Sequence, residues 1–145
     1  VGASATASIF IPAIMFAMAM FLAFSTGTSW GTFAILVPIV VEMFRTADEK
    51  MMIIAVSAVL AGAVCGDHVS PISDTTIMSS AGAQSNHINH VQTQMQYAMV
   101  VAVVCVAGYI IAGICKNWLI TLLLSAALLV VALFGIKKYY DKKEA

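Results

Sequence analysis

The chain has 145 residues, 61% of them hydrophobic and only 10% charged, with zero formal net charge and a mean hydropathy of +0.97. Soluble domains carry about 25% charged residues, so a water-soluble globular domain is excluded, and without a basic stripe a nucleic-acid partner is not expected. What remains is an all-α polytopic membrane protein, with the lipid bilayer as its first partner.

The opening "VGASATASIF" has neither an initiator methionine nor a basic n-region ahead of a cleavage site. The chain is therefore expected to be a piece of a longer protein rather than to begin on a signal peptide. Residues 9–24 are apolar, "STGTSWGT" (25–32) interrupts them, and 33–44 are apolar again apart from Glu42. Each arm is short for a crossing, which needs about 20 residues, so 9–44 reads as a re-entrant helical hairpin with its tip at 25–32. "FRTADEK" (44–50) is a polar connection. Residues 51–64 form a further apolar arm, roughly 21 Å long at ~1.5 Å per residue. "CGDHVSPISDTT" (65–76) breaks that arm and 77–83 resume it, so 51–83 reads as one discontinuous helix unwound over 66–76. "QSNHINHVQTQMQ" (84–96) is expected to be a polar loop. Residues 97–115 and 118–136 carry no charge and are long enough to cross. These two intact transmembrane helices are joined tightly at Lys116-Asn117, and the tail 137–145 is exposed.

Interrupted helices are costly in lipid, because every freed backbone group needs a partner; they are tolerated where they line a cavity or bury in protein. A pair of them points to a transporter's binding site. Between Lys50 and Lys116 the only formally charged residues are Asp67 and Asp74. A buried carboxylate without a basic partner takes up a proton or holds a cation, so each aspartate is a candidate at which H⁺ and Na⁺ compete. The alternative is that the aspartates cap helices, Asp74 more than Asp67, with Pro71 and Gly66 as mere breakers. The hydroxyls of Ser70, Ser73, Thr75 and Thr76, with those of Ser25, Thr26, Thr28 and Ser29, are oxygen donors suited to a hard monovalent cation. Freed carbonyls at half-helix ends add to them. The other reading is that these hydroxyls only satisfy broken backbone.

His68 could tune Asp67 or relay its proton, or make a structural hydrogen bond. His87 and His90, at i and i+3, lack the cysteine or carboxylate companions of a zinc site and read as part of a solvated or interfacial loop. Cys65, Cys105 and Cys115 read as buried free thiols. Gly62 with Gly66, and Gly108 with Ala112, offer small-residue steps for close helix packing. Trp30 either plugs the hairpin tip or fills the interior.

"TGTSWGTFAILVPI" and "GAVCGDHVSPISDTTIMSSAGAQSNHINHVQTQMQYA" resemble, almost throughout, signature segments of the sodium/proton antiporter family of NhaC type, over roughly residues 25–98. The resemblance implies the C-terminal part of a transporter, one of two inverted repeats. Each repeat would hold a hairpin followed by a discontinuous helix, with tips meeting at the membrane midplane. The N-terminal remainder of the same transporter is then a partner, and a homodimer is an admissible assembly. The implied function is secondary Na⁺/H⁺ antiport, with Na⁺ and H⁺ as transported ions, no cofactor, no metal beyond Na⁺ and no enzymic chemistry. Because the family includes relatives that exchange organic acids or amino acids, an amino-acid or carboxylate exchanger on the same fold stays open. There the break hydroxyls and half-helix N-termini would hold the substrate's carboxylate, although the lack of Lys or Arg near the breaks favours a cation. A non-transporting helical subunit is a further alternative. Lys137, Lys138, Lys142 and Lys143 would set the tail in the cytoplasm, beneath the cell membrane.

Overall fold

The computed structural model describes residues 5–45 and 48–144. They form the helices α1 (Ala5–Thr26), α2 (Ser29–Phe44), α3 (Glu49–Val69), α4 (Asp74–Gly82), α5 (His87–Cys115) and α6 (Trp118–Glu144), and no strand occurs among the described residues. Four of these helices, α1, α3, α5 and α6, are long and apolar enough to cross a membrane. Backbone satisfied within each helix is what a hydrocarbon environment demands, and the chain is a multi-pass helical membrane protein.

Short polar side chains set where the helices start. Thr28 caps α2, its Oγ1 accepting from the Gly31 N–H at 3.3 Å. Asp48 caps α3 by accepting from the N–H groups of Lys50 and Met51. Asn86 does the same for α5 through the Asn89 N–H, and the Asn117 side chain accepts from the N–H groups of Leu119 and Ile120 at the start of α6. Such caps satisfy N–H groups that have no partner inside the helix. Lys116 ends α5 in the left-handed region, at φ 50°, and so turns the chain sharply between the two long helices.

α3 is central, packed against α1, α2 and α5. Met51, Ala55, Val59 and Ala63 lie four residues apart, hence on one helix face. They pack against Met15, Ala19 and Ala23 of α1 and Leu36, Val40 and Phe44 of α2. α1 and α3 run parallel in a fixed register. Gly62 abuts the Phe16 carbonyl, Gly66 the Met20 carbonyl, and the Ser70 hydroxyl donates to the Phe24 carbonyl at 2.8 Å, each pair 46 residues apart. A Cβ at either glycine would overlap backbone of α1. The small-residue step read from the sequence is therefore a backbone-to-backbone contact, the kind that stabilises helix pairs in lipid by close packing.

α5 runs antiparallel to this pair. Gly113 meets the Ile9 carbonyl, the rings of Tyr109 and Phe16 are 5.5 Å apart, and the Tyr109 hydroxyl donates to the Ser57 carbonyl at 3.0 Å. α6 touches only α5 among the described residues, with Gly108 set against Ser125 Oγ. None of its described side chains is buried. At the end of the bundle where α3 starts and α5 stops, Lys116 Nζ donates to the Asp48 carboxylate. That hydrogen bond holds the Asp48 carboxyl below its ordinary value.

Several expectations need correcting. α1 has 22 residues, enough to cross, because the helix runs on through Ser25 and Thr26, whose hydroxyls donate back to the Phe21 and Leu22 carbonyls (2.8 and 2.9 Å); α2, with 16 residues, stays short. α3 continues through Gly66, Asp67 and His68, because close packing on α1 favours glycine at position 66. The unwound stretch is 70–73 rather than 66–76, and it follows 21 helical residues instead of dividing a shorter arm. Asp74 does not cap α4; Ser73 holds the cap position and Asp74 is the first helical residue. Residues 87–96 are helix rather than loop, started by the Asn86 cap. The tail, exposed at 137–139 as expected, continues α6 as helix through Glu144. Trp30 is 79% exposed and sits edge-on to Phe33, neither plugging the tip nor filling the interior. Cys115 is exposed, while Cys65 and Cys105 are half-buried free thiols.

Candidate functional site

The chain breaks twice, at 27–28 between α1 and α2 and at 70–73 between α3 and α4, and the parallel register of α1 and α3 brings the breaks together. Gly27 has φ +69° and lies so close to Ile72 that an added Cβ would meet the Ile72 carbonyl oxygen at 2.9 Å. Only glycine adopts that backbone region without steric cost. One residue-turn away, the Ser70 hydroxyl bonds to the Phe24 carbonyl. The tip of the first pair therefore rests on the second break.

The apolar faces that converge there end in polar groups. In α2 the buried row Phe44, Val40, Leu36 finishes at Thr32, which is 1% exposed and donates to the Thr28 carbonyl at 3.0 Å. In α3 the row Met51, Ala55, Val59, Ala63 continues, one turn on, to Asp67, which is 7% exposed. Its Oδ1 is buried and has no hydrogen-bond partner, the one such side-chain atom among the described residues. Leaving a buried carboxylate oxygen unpartnered costs on the order of 1–3 kcal/mol or more, and such groups in a native fold ask for a cause.

Around it the second break is polar and shielded. Ser70, Ser73 and Thr76 are all buried. Ser73 and Thr75 share a hydroxyl–hydroxyl bond of 2.7 Å. The Thr76 hydroxyl donates to the His68 carbonyl at 3.2 Å, and the Ser70 N–H to the Asp67 carbonyl at 3.2 Å. A hydroxyl that donates to a carbonyl keeps lone pairs for another partner. The end of α3 also carries the negative pole of its helix dipole. An unpartnered carboxylate oxygen, shielded hydroxyls and helix-end carbonyls are each groups of the kind that attract a cation.

Asp67, Ser70, Ser73 and Thr76 are thus all buried at or next to the second break, with Thr28 and the buried Thr32 at the start of α2. Asp74, His68 and Thr75 are exposed, as are Ser25 and Thr26, whose hydroxyls are spent on their own helix; Ser29 is half-buried at the start of α2. Thr32 was missed as a site residue. Its signal is its place four residues before Leu36, in step with the buried row. His87 was missed too: its ring bonds to the Pro71 carbonyl and the Ser80 hydroxyl.

An apolar groove of about 370 Å³ runs beside the breaks, where Phe24 and Val69 face Met95 and Met99 of α5. The second break is level with the first turn of α5, where His87 bonds to the Pro71 carbonyl. α4 does not continue the line of α3. Pro71 and Ser80 bond to the two nitrogens of one imidazole, whereas nine residues of straight helix would separate them by about 13 Å.

A family model described as the Na⁺/H⁺ antiporter family matches residues 3–114. An uncharacterized protein of Haemophilus influenzae is 50% identical over 129 residues, 89% of this chain and 25% of the relative. The malate-2H⁺/Na⁺-lactate antiporter of Bacillus subtilis is 27% identical over 89 residues, 61% of this chain and 19% of that protein. The chain spans a quarter or less of the length of these relatives. No solved structure gives a significant match.

Proposed function

Because the chain belongs to the Na⁺/H⁺ antiporter family, we propose that it forms part of a secondary transporter that exchanges Na⁺ for H⁺, with Asp67 as the carboxylate at which the two cations compete. The observation that carries this reading is the buried, unpartnered Asp67 oxygen beside the meeting point of two helix breaks. Buried and unpartnered, that oxygen has room for a partner the fold does not supply, a proton or a stripped cation. Occupation by one excludes the other, and that exclusion couples the two fluxes. Ser70, Ser73 and Thr76, with the carbonyls at the end of α3, complete the shell for Na⁺. Thr28 and Thr32 face it from the tip. Asp74, His68, Thr75, Ser25, Thr26 and Ser29 would line the approach, where exposed polar groups beside a break cannot face lipid; the N-terminal remainder of the transporter would cover them.

The reading also keeps the first helix pair as a hairpin, one whose returning arm falls short of a full crossing. α2 has 16 residues, reaching roughly 24 Å against a hydrocarbon core of about 30 Å. The four lysines of the tail support an orientation in which it lies, with 83–86, on the cytoplasmic side of the cell membrane.

A second reading draws on the Bacillus relative, whose name gives malate and lactate among its substrates. The N-termini of α2 and α4 offer backbone N–H groups near the breaks that suit a carboxylate. No Lys or Arg between residues 51 and 115 supports such an anion, so in this chain the cation reading is the stronger.

The test is flux in proteoliposomes containing the full-length protein. Na⁺ added to one side should drive H⁺ out of the other without any organic acid present, and Asp67→Asn should abolish that exchange while the protein still inserts. Exchange that appears only with malate or lactate would favour the second reading, and undiminished Na⁺-driven exchange in Asp67→Asn would remove Asp67 from the mechanism.

A further inference from the structure

His87 opens α5 and is used nowhere in the exchange described above. Its Nε2 lies 2.7 Å from the Pro71 carbonyl oxygen and its Nδ1 3.0 Å from Ser80 Oγ. One turn on, His90 Nε2 lies 3.3 Å from Ser79 Oγ. A carbonyl only accepts, so Nε2 carries a proton in the first contact. The Ser80 hydroxyl can serve Nδ1 in either sense. With a neutral ring it donates to Nδ1; with a charged ring it accepts, and turns its own proton to the Ile77 carbonyl at 2.9 Å. The bridge therefore holds in both protonation states of the ring.

The carbonyl it holds belongs to the unwound stretch 70–73. Backbone freed there is otherwise held by long bonds: the Ser73 N–H reaches the Ser70 carbonyl and the Ile72 N–H the Ser70 hydroxyl, each at 3.4 Å, and Pro71 has no N–H to donate. One side chain from α5 thus pins the middle of the break and, through Ser80, sets the direction in which α4 leaves it. We propose that His87 is a positioning residue for the cation site, holding the 70–73 turn so that Ser70, Ser73 and Thr76 keep their oxygens beside Asp67. This rests on the reading of the breaks as the ion site. It also makes the break responsive to any displacement of α5.

The test uses the full-length protein with His87→Phe, which fills the space without a donor, and His87→Gln, whose amide nitrogen reaches the Nε2 position. In proteoliposomes, His87→Phe should raise half-saturating Na⁺ roughly threefold to tenfold, the size of one lost hydrogen bond, and leave the maximal rate within about twofold. His87→Gln should restore half-saturation to within about twofold of the parent. Amide hydrogen exchange of residues 70–77 in detergent gives a readout that needs no transport. It should be faster in His87→Phe and return to the parent rate in His87→Gln. Should the Phe variant not be recovered, Ser80→Ala cuts the Nδ1 arm alone and should show the same changes at smaller size. Unchanged half-saturation in His87→Phe, or equal impairment in the Phe and Gln variants, would overturn the proposal. If the parent itself moves no H⁺ in response to Na⁺, the antiport reading fails separately, and the exchange rates still decide: equal rates in all variants refute the brace, and slowing restored by Gln supports it.

Discussion

Asp67 is a residue whose chemistry works against its own fold. Its Oδ1 is buried without a partner, a penalty of about 1–3 kcal/mol that the native state carries in the absence of a ligand. Asp67→Asn, which removes the charge at nearly constant size, should therefore leave thermal stability unchanged or raised in Na⁺-free detergent. Added Na⁺ should stabilise the parent and not the variant, since a ligand bound only to the native state adds RT ln(1 + [L]/Kd). A Na⁺-dependent rise of the same size in both proteins would mean that the cation binds elsewhere. Asp74 is exposed at the start of α4, where a negative charge is favoured by the helix dipole and is worth about 0.3–1 kcal/mol. Asp74→Asn should be a mild variant in both stability and exchange. At the tip, Gly27 combines a positive φ with an Ile72 contact that leaves no room for a side chain. Gly27→Val should weaken apparent Na⁺ affinity more than it lowers the amount of protein in the membrane. Normal affinity in a well-inserted Gly27→Val variant would separate the tip from the site.

At the scale of elements, the α1–α3 pair depends on two glycines that meet backbone. Gly66→Ala would drive a methyl into the Met20 carbonyl; overpacking of this kind costs about 1–3 kcal/mol, so the unfolding midpoint in detergent should fall clearly. The same change at Gly82, which has open space around it, should be nearly neutral. The sequence announced these helices through their apolar runs, and the joint at Lys116-Asn117 was legible because two uncharged stretches flank it. The GxxxG step was legible for the same reason: Gly62 and Gly66 share a face. What could not be read was where α3 would stop. Pro71 and Gly66 both look like breakers, and only tertiary contact with α1 decides that Gly66 stays helical. Nor could the burial of Asp67 be told from that of Asp74, because it follows from the i+4 row that α3 presents to α1 and α2. His87 was lost for want of any local pattern, since its partners lie 16 and 7 residues away.

The molecule as a whole is tied at the end opposite the breaks by Lys116 and Asp48. Both side chains are substantially exposed, so the contribution is modest, but its pH sign is definite. The Asp48 carboxyl is held below its ordinary value by the Lys116 hydrogen bond. The tie is therefore present in full above the usual aspartate range and is lost as pH falls through the lowered value. Acidification below about pH 4 should shift the unfolding midpoint of the parent down by more than that of Lys116→Met; equal shifts would show that the pair carries no linkage. The pair also fixes relative topology, because it requires the α2–α3 and α5–α6 connections to lie on one side. Single cysteines at Ser85 and Lys50 should react with impermeant reagent from opposite sides, Ser85 from the cytoplasm. Labelling of both from the same side would overturn the arrangement.

The parallel seam between α1 and α3 has a mechanical consequence. Where glycine meets carbonyl, at Gly62 and Gly66, no side chain can change rotamer to absorb a shear, so at those points the two helices are expected to move together. The joint between α4 and α5 is of another kind: it is made of hydrogen bonds between serine hydroxyls and imidazole rings, which can break and re-form one at a time. If the transporter rocks, the compliance sits at that joint, and the carboxylate rides with the helix pair.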